Sequence, residues 1–212
     1  MNYADLRQEY IAKEFDIKDC DVSPFAQFEK WFAEVMSLNI PDPNAFILCT
    51  SSKEGKPSSR IMLLKGVDEK GFVFYTNYLS RKSKEILENP NAAFLFFFKE
   101  LHRQVRIEGK LEKVSREESE EYFNSRPLES RIGAWASIQS SVISGRQELE
   151  DKVKKYSEEY SGKDVPLPDY WGGFRLIPEY FEFWQGRESR LHDRIAYSKV
   201  SDLKWNLERL SP

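Results

Sequence analysis

Three arginines, a histidine and a tryptophan crowd one stretch near the C-terminus, Trp184-Gln185-Gly186-Arg187-Glu188-Ser189-Arg190-Leu191-His192-Asp193-Arg194. Such groups want an anionic or aromatic partner, and they follow an alternating apolar run that reads as a strand. In Arg190-Leu191-His192 the period of two puts Arg190 and His192 on one face and Leu191 on the other, so two cationic groups point into a shared space. A solvated edge strand would produce the same pattern for an arbitrary Arg-x-His. Trp184 beside Gly186, a large ring next to a position without a side chain, tips the balance towards a flat ligand.

Other basic groups stand elsewhere in the chain. Arg60 and Lys65 bracket Ile61-Met62-Leu63-Leu64, an apolar strand with a cation at each end. Either an anion meets them or both emerge at the sheet edges, because a buried unpaired cation is costly. Arg81 and Lys82 follow Ser80 in the first turn of a helix, where positive side chains oppose the helix dipole. A phosphate there reverses the sign, since free N–H groups and two cations converge on it. Tyr122 and Arg126 lie one helical turn apart if the helix persists that far, with Ser130 beyond Pro127, and together they can hold a second phosphate or serve as an ordinary helix end. Gln139-Ser140-Ser141 and Gln104 can hydrogen-bond a polar ring edge; a plain loop and a plain strand position are the alternatives.

The chain has two histidines, His102 and His192, and two cysteines, Cys20 and Cys49, so neither a multi-histidine metal centre nor a hydrolytic triad has its parts. No metal site is expected. Bound organic cofactor chemistry is the more natural source of reactivity. A net charge of -3 over 212 residues gives no support for nucleic-acid or membrane-surface binding. No apolar run is long enough to cross a bilayer, and no leader pattern stands at the start, so a soluble cytoplasmic protein is expected.

These groups must be positioned by the elements between them. Residues 2–15 read as a short charged helix with a thin apolar stripe, an arm loosely docked on periodicity alone. Ser23-Pro24 opens a helix whose Phe25, Phe28, Trp31, Phe32 and Val35 recur at helical spacing and belong to the core. Strands follow at 45–50, 58–65 and 71–76, then a helix from Ser80 ended by Asn89-Pro90, then strands at 92–98 and 103–114. Ser115-Arg116-Glu117-Glu118 is a capping box opening a helix that Pro127 interrupts; a further helical piece runs to about residue 137, and a charged helix covers 147–160. Residues 163–169 read as a linker, and strands at 173–177, 179–185, 192–198 and 203–210 close the chain. Short turns between strands, with helices between and after them, predict an antiparallel barrel or sandwich with attached helices. No Gly-rich turn of the dinucleotide or P-loop kind is present.

An ordered set of motifs carries a resemblance. Arg60-Ile61-Met62-Leu63-Leu64-Lys65, Phe74-Tyr75-Thr76-Asn77, Ser80-Arg81-Lys82, Arg103-Gln104-Val105, Tyr122-Phe123-Asn124-Ser125-Arg126-Pro127, Ile132-Gly133-Ala134-Trp135, Gln139-Ser140-Ser141, Trp171-Gly172-Gly173-Phe174, Glu182-Phe183-Trp184-Gln185-Gly186 and Arg190-Leu191-His192-Asp193-Arg194 closely resemble the pyridoxine (pyridoxamine) 5'-phosphate oxidase family. The match runs in order from about Arg7 to Pro212. Each piece alone is weak; the ordered set is specific.

The resemblance implies a mainly β protein with flanking helices (α+β), an FMN-binding split β-barrel of antiparallel Greek-key type. One domain spans residues 1–212, with an arm at 1–20 and closing strands at 171–212. It implies a homodimer with FMN at the subunit interface. Arg60, Ile61, Met62, Leu63, Leu64, Lys65, Tyr75, Thr76, Arg81, Lys82, Gln104, Gln139, Ser140, Trp184 and Arg194 would contact FMN. Lys65, Tyr122, Arg126 and Ser130 would hold the substrate phosphate. Arg190 and His192, with Leu191 between them, would close over the substrate ring as the catalytic pair. Arg7, Gln8, Glu9 and Tyr10 would then be an arm covering the substrate instead of a frayed end. The chain departs from the family at Gln8, where many relatives have a second arginine, and at Arg131, where glutamine is common. The implied reaction oxidises pyridoxine 5'-phosphate or pyridoxamine 5'-phosphate to pyridoxal 5'-phosphate, with O2 as acceptor and H2O2 as product. Two rivals differ from it: a split-barrel flavoprotein acting on another substrate, which need not keep Tyr122, Arg126 and Ser130, and a non-catalytic carrier of pyridoxal 5'-phosphate.

Overall fold

The computed structural model describes residues 13–202 and 204–212. After a short 3-10 turn at Ile17–Asp19 comes helix α1 (Pro24–Met36), with Ser23 capping the Ala26 N–H and Pro24 in the first turn as expected. Strands β1 (Ala45–Ser51), β2 (Pro57–Leu63), β3 (Gly66–Asp68) and β4 (Gly71–Asn77) precede helix α2 (Arg81–Glu88). Strands β5 (Asn91–Phe98) and β6 (Arg103–Lys113) are followed by three helices, α3 (Arg116–Ser125), α4 (Leu128–Ala136) and α5 (Arg146–Glu159). The chain closes with β7 (Trp171–Gln185), β8 (Asp193–Ser201) and β9 (Lys204–Leu210).

All pairings are antiparallel, in the order β2-β1-β5-β6-β7-β4-β3, with β8 added to β7 and β9 to β8. Strand β7 is where the sheet divides. One of its edges pairs with β6 along its length; the other pairs with β4 from Trp171 to Leu176 and with β8 from Tyr180 to Gln185. Pro178 stands in the gap between those two partners, where no N–H is needed for a ladder. The separate strands expected at 173–177 and 179–185 are therefore one strand, because the proline falls where the partner changes. A bulge between Glu108 and Gly109 faces the same point, and a Cβ at Gly109 would lie 2.0 Å from the Ile177 carbonyl oxygen, so only glycine admits this approach.

The inner face of the sheet is a phenylalanine core. Phe46, Phe72, Phe74, Phe94, Phe96, Phe174, Phe181 and Phe183 are each at most 2% exposed, and α1 closes over them with Phe28, Trp31 and Val35. Phe28 meets Phe72 and Phe96 edge to face at 5.0 and 5.1 Å, and Trp31 meets Phe183 at 5.2 Å. Each such side chain contributes roughly 1.5–3 kcal/mol by leaving water.

A second apolar cluster, Phe123, Ile132, Ala134, Val165, Leu167 and Trp171, fixes α3 and α4 over the β4–β7 edge. Val165 and Leu167 come from the segment expected to be a linker; they are 1% and 5% exposed and pin it down. The capping box at α3 is half made. Ser115 accepts from the Glu118 N–H at 3.1 Å, but the Glu118 carboxylate turns instead to Arg175 at 2.9 Å. Strand β2 also ends earlier than expected. Leu64 leaves it to donate to the Asn44 carbonyl, and Lys65 crosses over to donate to Val73 of β4 at 2.8 Å.

Candidate active site

The crossing at Leu64 and Lys65 brings β2 alongside β4, and α3 and α4 roof the space between them. The result is a cleft of about 710 Å³. Ile61, Met62, Leu63 and Lys65 enter it from the β2 side, Tyr75, Thr76 and Asn77 from β4, and Gln139 from the loop after α4. Tyr122, Arg126 and Ser130 enter from the helices, and Trp171 from the start of β7. Six residues expected at a flavin, three expected at a substrate phosphate and Lys65, expected at both, thus face one space. Ile61 is 73% exposed, an apolar side chain with water in front of it.

Next to this cleft, and sharing Gln139, lies a second of about 450 Å³ where Arg81, Lys84 and Glu85 of α2 face Ser140 and Ser141. Lys82 is buried behind it. Its Nζ donates to Gln139 Oε1 at 2.6 Å, Thr76 Oγ1 at 3.1 Å and Ser80 Oγ at 3.3 Å. Burial, helped by the charge of Arg60, pushes its pKa down to about 8. Arg60 reaches Thr50, Ser58 and, at 3.3 Å, Glu85; Arg81 reaches the other Glu85 oxygen at 2.9 Å.

Glu85 is 6% exposed. Burial works to raise its pKa, but hydrogen bonds from Ser58, Thr50 and Arg81 and the Arg60 charge outweigh it and hold the carboxyl at about 2. One carboxylate therefore ties two arginines from different elements into a fixed group. With Lys82 protonated, three cations against one acid leave a positive surplus at the α2 N-terminus, the chemistry a dianionic phosphate needs.

The opposite wall is aromatic. Tyr75 and Tyr122 stack at 4.0 Å and 12°, and both are parallel to Trp171. Burial, then the nearby Glu118 charge, pushes the Tyr75 phenol up to about 12, so it stays neutral. Arg126 lies over Trp171 at 4.7 Å, and burial lowers its pKa.

The remaining expected residues lie elsewhere. Leu64 turns its side chain into the core at 6% exposure. Gln104, Trp184 and Arg194 are direct cross-strand partners on β6, β7 and β8, one row on the outer face of the sheet continued by Phe97 of β5. None of the three lines the cleft, and Trp184 stands roughly 40 Å of strand beyond Trp171 on β7. Arg194 is held by Glu182 at 2.8 Å.

The segment Arg190-Leu191-His192 is not strand. A 3-10 turn at Glu188–Arg190 precedes β8, with Ser189 and Arg190 at φ of 54° and 61°, so a period of two does not apply there. Instead the turn folds His192 back on Trp184, ring centroids 4.6 Å apart, with Nδ1 accepting from the Arg187 N–H at 3.1 Å. Burial and then the Arg190 charge lower the His192 pKa, Asp193 opposing. Leu191 is 69% exposed. Arg7, Gln8, Glu9 and Tyr10 lie outside the described residues. The chain beyond them is anchored at this turn: Phe15 N–H donates to Asp193 at 3.1 Å, and Asp193 also receives Arg187 and Arg209.

Reading the sequence assigned no site role to Glu85, Asp193 or Trp171, although the last two stand within motifs that carry the resemblance. Glu85 had a signal, four residues after Arg81 on one helix face. Asp193 had little, since beside Arg187 in its own stretch its partners are Phe15 and Arg209 from other segments.

Comparison with known proteins agrees with this architecture. A family model described as pyridoxamine 5'-phosphate oxidase matches residues 32–160, and one described as the pyridoxine 5'-phosphate oxidase C-terminal dimerisation region matches residues 171–212. The pyridoxine/pyridoxamine 5'-phosphate oxidase of Burkholderia thailandensis is 54% identical over 211 residues, covering 99% of this chain and 98% of that one. The protein of the same name from Trichormus variabilis is 49% identical over 209 residues with the same coverage. Among solved structures, PhzG of Burkholderia lata, in complex with tetrahydrophenazine-1-carboxylic acid, superposes with a TM-score of 0.88 at 26% identity, over 95% of this chain and 99% of that one. A pyridoxamine 5'-phosphate oxidase-related, FMN-binding protein of Nostoc punctiforme shares the fold at a TM-score of 0.71 and 18% identity, over 91% of this chain and 100% of that one. The chain belongs to the pyridoxine/pyridoxamine 5'-phosphate oxidase family.

Proposed function

We propose that this enzyme oxidises pyridoxine 5'-phosphate and pyridoxamine 5'-phosphate to pyridoxal 5'-phosphate, the last step in making that cofactor, with FMN as bound cofactor and O2 as final acceptor. One observation carries the reading: a single cleft faces Ile61, Met62, Leu63, Lys65, Tyr75, Thr76 and Gln139 of the expected flavin set together with the phosphate set Tyr122, Arg126 and Ser130. The donor chemistry fits FMN, because Arg60, Arg81 and Lys82 form a positive, rigid group beside Gln139 and Thr76. Bound FMN supplies a two-electron acceptor that O2 can reoxidise with release of H2O2.

The protein's part is chiefly orientation. Arg60, Arg81 and Lys82 would hold the flavin phosphate and Lys65, Tyr122, Arg126 and Ser130 the substrate phosphate, so that a chance encounter is replaced by a held one. Lys65, exposed at the mouth of the cleft, is shared between the two. Arg190 stabilises negative charge as it develops on the substrate ring. His192, its pKa lowered by burial and its Nδ1 accepting from the Arg187 N–H, favours the neutral imidazole and would hydrogen-bond the reacting substituent.

One chain does not bring Arg190, His192, Trp184 and Arg194 to the cleft, so we infer a homodimer in which one subunit's β7–β8 end completes the other's site around FMN. The match of residues 171–212 to a dimerisation region supports this, as do exposed Ile61, Leu63 and Phe97 on the outer face. The chain is taken as one domain, since β7 is bonded to β4, β6 and β8 together. A cytoplasmic location is consistent with the described residues, among which no helix is long and apolar enough to cross a membrane.

The test is aerobic turnover of FMN-loaded enzyme with both phosphorylated substrates and with unphosphorylated pyridoxine. Pyridoxal 5'-phosphate and H2O2 formed in equal amounts, with little activity on pyridoxine, is the expected result. Equal activity with and without the phosphate would contradict the assignment of Tyr122, Arg126 and Ser130.

A further inference from the structure

Most arginines around the site are held by acids: Arg60 and Arg81 by Glu85, Arg175 by Asp68 and Glu118, Arg194 by Glu182. Arg126 differs. Among the described residues its side chain forms no ion pair, and its Nη1 is buried without a hydrogen-bond partner. What holds it is aromatic, the guanidinium lying 4.7 Å from the Trp171 ring centroid and 5.7 Å from that of Phe123. Burial lowers its pKa, with only Tyr122 opposing.

The difference matters for an anion. A carboxylate partner would neutralise the guanidinium and would have to be displaced when a phosphate arrives. An aromatic face attracts the cation through its quadrupole and leaves its charge and N–H donors directed elsewhere. Trp171 is well fixed for this purpose. It is 8% exposed, lies parallel to Tyr75 and Tyr122 at 5.6 and 6.2 Å, and meets Phe123 edge to face at 5.2 Å. Its backbone N–H donates to the Pro168 carbonyl at 3.1 Å, which helps to fix the first residue of β7.

We infer that Trp171 is a positioning residue for the substrate phosphate, holding Arg126 in the cleft as a cation that no acid neutralises. The inference rests on the reading that Arg126 grips that phosphate. It acts through Arg126, so its effect must vanish when Arg126 is gone, whereas a merely structural tryptophan would matter in either background.

The experiment is a double-mutant cycle on FMN-loaded protein, reading equilibrium binding of pyridoxal 5'-phosphate by absorbance and, separately, FMN retention. Arg126→Gln alone should weaken pyridoxal 5'-phosphate binding; if it does not, the phosphate reading falls and this inference with it. Trp171→Leu should weaken it about ten-fold in the native background and less than about two-fold beside Arg126→Gln, a coupling of the size expected for a desolvated cation–π pair. FMN retention is read in the same samples, because Trp171 lies parallel to Tyr75 of the expected flavin set, and binding is compared at saturating FMN so that flavin loss does not enter the coupling. Trp171→Phe keeps a smaller ring and serves should Trp171→Leu fail to fold: a loss of about three-fold is expected, again absent beside Arg126→Gln. Equal losses in both backgrounds, or no loss in the native one while Arg126→Gln is impaired, would overturn the inference and leave the phosphate reading standing.

Discussion

Lys82 carries its charge where burial disfavours it, so on the proposed function FMN affinity should depend on pH. Its pKa is pushed down to about 8 in the ligand-free site. Below that pH it is already protonated and a phosphate binds without proton uptake; above it, binding must take up a proton. FMN affinity should therefore fall as pH rises through 8, by at most about ten-fold per unit. Titrations between about pH 7 and 9.5 should show this slope, and Lys82→Met should bind FMN more weakly at pH 7 and lose the slope. Arg190 makes the opposite kind of prediction. Arg190→Ala should lower turnover by about 10² or more while FMN affinity changes little, as for a group that acts on transition-state charge; equal losses in both would contradict that role. Arg81 and Lys82 stand in a first turn as read, whereas α3 ends at Ser125 and Arg126 is its extended cap, so Tyr122 and Arg126 are not a helical pair. What the cations touch was not legible, because Glu85 joins Arg60 to Arg81 across a β-strand and a helix, and no local pattern encodes a contact between residues 60 and 85.

At the scale of elements, periodicity worked where one rule governed a whole segment. The stripe Phe28, Trp31, Val35 predicted α1 and its buried face, and the structure seats that face on Phe72, Phe96 and Phe183. Phe28→Ala should cost about 3–5 kcal/mol in urea unfolding, since its ring is fully enclosed and the neighbours cannot collapse into the gap. A loss below about 1 kcal/mol would show that α1 packs loosely. Periodicity failed where partners change. Pro178 looked like a strand break and is the point at which β7 passes from β4 to β8; Lys65 looked like the end of β2 and is the crossing to β4. The turn at Glu188–Arg190 escaped for a related reason: positive φ at Ser189 and Arg190 is imposed by the contacts of Arg187, His192 and Asp193, not by residues with a preference for it.

Across the whole molecule, the ordered motifs were enough to expect the family, yet they could not show that their residues fall into two groups on one chain. The cleft between β2, β4 and the helices gathers one group; the row Gln104, Trp184, Arg194 with the Arg190–His192 turn holds the other. The proposed homodimer would join them. Phe97, 56% exposed and continuing that row on β5, should then be an interface residue. Phe97→Glu should shift the protein to monomers in sedimentation and lose bound flavin in step; a monomeric variant that keeps full flavin content would contradict a site shared between subunits. The most direct measurement of the central claim is the absorbance of FMN-loaded protein as pyridoxine 5'-phosphate is added without oxygen. The flavin band should bleach and return when air is admitted, reporting both halves of the oxidation. A band that shifts without bleaching, or does not respond, would contradict it.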